Sequence, residues 1–242
     1  MQRDDSGAPI SAAAVIRNVV EEAVLADSLG IDAFNIGEHH RDDFAVSAPD
    51  TVLAGIATRT SGITLGTGVT VLSSDDPVRV YERFATLDAL SRGRAEITAG
   101  RGSFIESFPL FGFSLEDYGV LFEEKLQILA ELIKEKPINW SGSIRTPLMN
   151  QEVYPKTERG SIPVRVAVGG TPESVVRAAR LGMPLALAII GGDPARFAPF
   201  SHLYRNRLQE FGHNLQPISI HSPGHCAETD ELAMEQCWPH YQ

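Results

Sequence analysis

The run NIGEHHRDDF, residues 35–44, places an acid, two adjacent histidines, an arginine and two more acids directly behind an apolar segment. Imidazole titrates near pH 6.5, so a histidine beside a carboxylate can handle protons at neutral pH. The same residue types can also bind a metal. Adjacent residues on an extended backbone point to opposite sides, so His39 and His40 do not converge easily on one ion. No HxH or HExxH spacing recruits His221 or His225. A third reading has the histidines capping a loop through hydrogen bonds. Proton handling fits the residue types best.

Three further clusters carry possible ligand chemistry. GRGS, residues 100–103, sets Arg101 between two glycines behind an apolar run. Glycine admits close backbone approach, and arginine presents a planar fork to phosphate. The same four residues would also suit a tight turn with a surface ion pair. GGTPES, residues 169–174, ends a strand-like run in two glycines and opens a helix with Thr171-Pro172. Thr171 is expected at the N-cap and Pro172 at the first helical position, with Glu173 and Ser174 in the first turn. Amides, hydroxyl and the positive end of the helix dipole then converge, which is anion-binding chemistry; an ordinary cap is the alternative. Finally, ITLGTGVTVL, residues 63–72, carries Gly66 and Gly68 inside a β-branched run. Interior strand glycines mark close approach of a flat ligand or tight packing against a neighbour.

The elements that must position these clusters alternate. A helix begins after Ser11 and ends at Leu29-Gly30, and the strand candidate IDAFNIG follows. The same design returns in a helix from Pro172, Leu181-Gly182 and the run MPLALAII. Further strands are expected at 63–72, 94–100, 163–170 and 217–222, and helices near 48–60, 78–90, 118–135 and 194–211. Consecutive Val, Ile, Leu and Ala residues read as strands buried on both faces, hence parallel. The expectation is an α/β chain of repeated βα units: a (β/α)8 TIM barrel, in which function sits at the strand C-termini. About six strands are visible where a closed barrel has eight, so the first strand and the last portion appear as missing pieces. Residues 1–242 read as one domain, with a weakly periodic excursion at about 138–162.

Composition narrows the classes. Of 242 residues 43% are apolar, enough for a core, and the formal net charge is −10. An acidic chain argues against nucleic acid as partner. No apolar run is long enough for a membrane span, and MQRDDSGAPI lacks the pattern of a secretory signal. Two late cysteines, Cys226 and Cys237, do not make a disulfide framework, and the expected location is cytoplasmic.

Taken together, NIGEHHRDDF, LGTGVTVLSSDDPVRVYERFATLDALSRGRAEITAGRGS and VAVGGTPESVVRAARLGMPLALAIIGG resemble the bacterial luciferase-like flavin-dependent monooxygenases in order and spacing, across nearly the whole chain. The resemblance implies the barrel, a small-molecule substrate, O2 and reduced FMN, or coenzyme F420 in some branches. It also implies a separate flavin reductase and a homodimer or higher homo-oligomer. By position, His39 matches the family's active-site histidine, preceded by Glu38. Thr67, Gly68 and Val69 match a strand segment against the isoalloxazine ring, often with a cis peptide at 68–69. Arg101, Gly102, Gly169, Gly170, Thr171 and Ser174 match phosphate contacts; no metal ligand is implied. Luciferase itself has a reactive cysteine where Gly100 stands, a departure that argues against light emission. A second departure is Asp76-Pro77, where the family often has His-Pro. Two other readings stand beside this one: a flavin-binding protein without turnover, like the non-fluorescent flavoprotein, and a metal-dependent TIM-barrel hydrolase.

Overall fold

The computed structural model describes residues 6–102, 104–191 and 193–241. Ser103 of the GRGS run lies outside them. The elements, in chain order, are α1 (Ala12–Ser28), β1 (Ala33–Ile36), α2 (Pro49–Ala57), β2 (Thr64–Thr67), β3 (Thr70–Val71), α3 (Pro77–Ser91), β4 (Ile97–Gly100), α4 (Ser107–Phe111), α5 (Tyr118–Leu132), β5 (Ile138–Trp140), β6 (Leu148–Gln151), β7 (Val164–Val168), α6 (Pro172–Arg180), β8 (Leu185–Ala188), α7 (Ala198–Glu210), β9 (Ile218–His221) and α8 (Asp230–Tyr241). The chain forms two compact units, Met1–Ala167 and Val168–Gln242.

In the first unit β1 pairs with β2, β3 with β4, and β4 with β7, all parallel. A bridge between Leu65 and Ala95 carries the order from β2 towards β4. Of these short strands, β2 and β4 are buried almost throughout, β7 alternates between buried and half-buried residues, and β1 is buried only at Ile36. The run 63–72 is two strands rather than one: β2 ends at Thr67, the Gly68–Val69 peptide is cis, and β3 resumes at Thr70. In the second unit β8 pairs parallel with β9, and α6 packs against α7.

Local chemistry sets the helix boundaries. Ser11 Oγ accepts from the Ala14 amide, and Gly30, past the end of α1, has φ +76°. Asp76, the departure noted above, caps α3: its Oδ1 accepts from the amides of Val78 and Arg79, with Pro77 at the first helical position. Three elements fall outside the sequence expectation. Residues 138–162 contain an antiparallel hairpin, β5–β6, whose exposed residues, apart from buried Ile138, give no apolar periodicity. The five-residue α4 is too short to show a period. Helix α8 forms behind Thr229, whose Oγ1 accepts from the Leu232 amide, with Asp230 and Glu231 in the first turn.

Lys125 is buried on α5. Its Nζ donates to Ser73 O at 2.7 Å and lies 3.9 Å from the Phe113 ring centroid. Burial lowers its pKa from 10.5 to about 8, against the opposing pull of Asp75 and Asp76. Between those values the unfolded chain holds the extra proton, so stability rises with pH across the window. Denaturant titrations should show a gain of up to about 1.4 kcal/mol per pH unit between pH 8 and 10, the linkage of one proton. Lys125→Met should flatten that slope. The phenol of Tyr81, which burial raises, titrates above the window.

Candidate functional site

The EHH segment leaves the C-terminal end of β1, and its two histidines part company. His40 Nε2 lies 3.0 Å from Glu38 Oε1, and both side chains are 10% exposed. The second Glu38 oxygen, Oε2, accepts from the Val71 amide at 3.1 Å. Burial raises the Glu38 pKa, opposed by these two hydrogen bonds. His39 turns the other way. Its ring centroid lies 4.0 Å from that of Phe44 and 5.1 Å from that of Phe104. Its Nδ1 is 4.0 Å from Glu106 Oε1. Burial lowers the His39 pKa and outweighs Glu106 and Asp43, so its ring is held neutral and able to take a proton. The Glu38 carboxylate therefore serves His40, not His39. Extended backbone places consecutive side chains on opposite sides, which is the physical reason.

The rest of the motif closes its loop. Arg41 donates to both oxygens of Asp43, at 2.8 and 3.0 Å, and lies 4.5 Å over the Phe104 ring. The His39 amide donates to Val46 O. A cavity of about 270 Å³ with mixed polar and apolar walls opens beside Glu38 and His40, with Thr67, Thr70, Asp75, Arg83 and Phe84 among its lining residues. Arg83 is held there by ion pairs to Asp50 and Asp75. Thr67 is buried, its hydroxyl 2.8 Å from that of Thr70.

The glycines of 63–72 separate by cause. A Cβ on Gly66 would strike Asn35 Oδ1 and come within 2.8 Å of Glu96 Cγ, so packing alone demands that glycine. A Cβ on Gly68 would meet only Asn35 Cβ at 3.5 Å, an ordinary contact. Packing therefore does not require glycine at position 68. The Gly68 amide donates to Ile36 O, and Val69 packs on Gly100, where a Cβ would come within 2.7 Å of Val69 Cγ2. At the end of β4, the Arg101 guanidinium lies 4.9 Å over the Tyr118 ring, and Gly102 has φ +77°.

In the second unit the GGTPES run follows β7. Thr171 takes the extended N-cap conformation, yet its hydroxyl makes no bond to the amides of α6 and donates instead to Ser174 Oγ at 2.8 Å. Arg177 Nη1 also donates to Ser174 Oγ, at 3.4 Å. Gly170 has φ +118°, a conformation open to glycine alone among L residues, and Gly169 is exposed. A helix start whose cap residue withholds its side chain suits an outside anion. These residues fit the phosphate of a flavin cofactor. Among the described residues no group of three or more His, Cys, Asp and Glu could hold a metal ion, and no helix is long and apolar enough to cross a membrane.

The family profile described as luciferase-like monooxygenase matches residues 2–242. The chain belongs to that family. The luciferase-like chain is 29% identical over 210 residues to the N-acetyl-S-alkylcysteine monooxygenase of Bacillus subtilis (strain 168), covering 83% of this chain and 61% of that protein. It spans about half the length of the curated relatives it matches. The fold is that of the monooxygenase RslO1 from Streptomyces bottropensis, with a TM-score of 0.84 at 26% identity over 95% of this chain and 71% of that one. It also follows the oxygenating constituent of 3,6-diketocamphane monooxygenase from Pseudomonas putida, solved with FMN, at a TM-score of 0.79 and 20% identity, covering 96% and 71%. Within this luciferase-like frame, sequence reasoning gave three residues no role of their own, although Asn35 and Glu96 lie inside the quoted runs. Asn35 and Glu96 crowd Gly66, and Glu106 reaches both the His40 amide and the His39 ring. Glu106 carried a weak signal, an acid three residues behind GRGS.

Proposed function

We propose that this protein is a flavin-dependent oxidoreductase, a two-component monooxygenase that takes reduced FMN from a separate reductase and uses O2 on a small organic substrate. The observation that supports it most is the arrangement at consecutive parallel strand ends. His39 leaves β1, a glycine that packing does not require lies between β2 and β3, and Arg101 leaves β4. The match to the luciferase-like family supports the same reading.

When bound, reduced FMN would supply the electrons for oxygen activation. The chain's own residues bind and handle protons. Gly68 and Val69 offer backbone to the ring. Arg101 and Gly102 are proposed as phosphate contacts in the first unit, and the start of α6 in the second unit, with Gly169, Gly170, Thr171 and Ser174, is proposed as an anion site in its own right. His39, neutral and walled by Phe44 and Phe104, takes or returns a proton at its imidazole nitrogen. FMN is preferred to F420, and titration with both cofactors decides between them. The reading extends to a cytoplasmic homodimer or higher homo-oligomer.

The experiment is an FMN titration followed by reoxidation of the reduced complex with and without reductase. Arg101→Ala should weaken FMN by about 1.5–3 kcal/mol, the worth of a hydrogen bond to a charged group. Unchanged affinity would place the phosphate elsewhere. Binding without turnover of any substrate would favour the reading of a flavin-binding protein without turnover.

A further inference from the structure

The buried carboxylate of Glu38 spends neither oxygen on His39. One faces His40 Nε2 at 3.0 Å and the other takes the Val71 amide at 3.1 Å. Val71 is paired with Gly100 in the β3–β4 ladder. Its methyls back onto Gly102, where an added Cβ would meet them at 3.2 and 3.3 Å. Two residues earlier, Val69 sits on Gly100, and Gly68 N–H is held by Ile36 O. Segment 68–71 is thus pinned at its start by β1, in its middle by a glycine floor, and at its end by Glu38. Of these holds, only the last is a side-chain acceptor from outside the strands.

We infer that Glu38 is a positioning residue: braced by His40, its carboxylate holds the Val71 amide and so sets where the Gly68–Val69 backbone stands for the flavin ring. This rests on the FMN reading above. The acid beside the histidines in EHH then aligns backbone, and the proton chemistry falls to His39 alone. The claim separates charge from reach. Glutamine keeps the length and a carbonyl acceptor for the Val71 amide but carries no transferable carboxyl proton. Aspartate keeps the carboxylate but is one methylene too short to reach.

Two readouts are taken on Glu38→Gln, Glu38→Asp and Glu38→Ala: amide hydrogen exchange at Val71 in the protein alone, and FMN affinity with the visible spectrum of the bound flavin. Glu38→Gln should keep Val71 protection, FMN affinity within about threefold and the wild-type spectrum. Glu38→Asp and Glu38→Ala should lose the protection and bind FMN about tenfold more weakly or worse, the size of one charged hydrogen bond, with an altered spectrum. Glutamine behaving like alanine while aspartate behaves like wild type would overturn the proposal, because charge rather than reach would then be what position 38 supplies. Wild-type protection and spectrum in all three would overturn it too. If Glu38→Ala does not fold, the glutamine and aspartate pair still decides. If wild-type protein binds no FMN, the flavin reading fails on its own, and Val71 exchange still reports whether Glu38 holds that backbone.

Discussion

His39→Ala is expected to slow turnover about 10²-fold or more while leaving FMN affinity close to wild type, as loss of a positioned general acid/base does. His39 stands between Phe44 and Phe104, with its nearest carboxylate, Glu106, 4.0 Å from Nδ1. Burial holds the ring neutral. Burial lowers the imidazole pKa, so the ring stays unprotonated to a lower pH and the acid limb of the rate profile should lie below the ordinary imidazole value. Single-turnover reoxidation with substrate, followed across pH, checks both points. A mutant at wild-type rate would leave His39 with a packing role against its two phenylalanines.

The largest expected loss of stability is at Arg94, between α3 and β4. Its guanidinium donates to Ser91 O, Ala57 O, Thr60 O, Thr60 Oγ1 and Ile63 O at 2.6–3.1 Å. One side chain thus ties the end of α2 and the entry to β2 to the end of α3. Burial lowers its pKa, yet an arginine stays charged, so the carbonyls complete a site that must hold a cation. Arg94→Met keeps the stem and strands those carbonyls. Each hydrogen bond to a charged group is worth about 1.5–3 kcal/mol, discounted here for partial exposure and shared partners, so a loss of about 3–5 kcal/mol is expected. Urea unfolding of the two proteins measures it. A change under 1 kcal/mol would mean that water replaces the guanidinium at little cost.

Local rules were legible in the chain itself. Ser11, Gly30 and Pro172 mark helix ends because caps and left-handed turns depend on a few neighbouring atoms. The apolar runs read as parallel strands, and β2, β4 and β8 are buried on both faces as that reading expects, while β1 and β9 stay largely exposed. What the sequence left open was decided over longer distances. Gly66 and Gly68 look alike in the run LGTGV, yet one is crowded by Asn35 and Glu96 and the other is not. Glu38 stands next to His39, yet its carboxylate goes to His40 and to Val71, 33 positions away. Asp76 reads as a departure from a family histidine, and in the fold it caps α3. Residue type and spacing determine which groups can do chemistry, because those properties travel with the chain. Which group meets which partner depends on where separate strands end in space, and only the tertiary structure sets that.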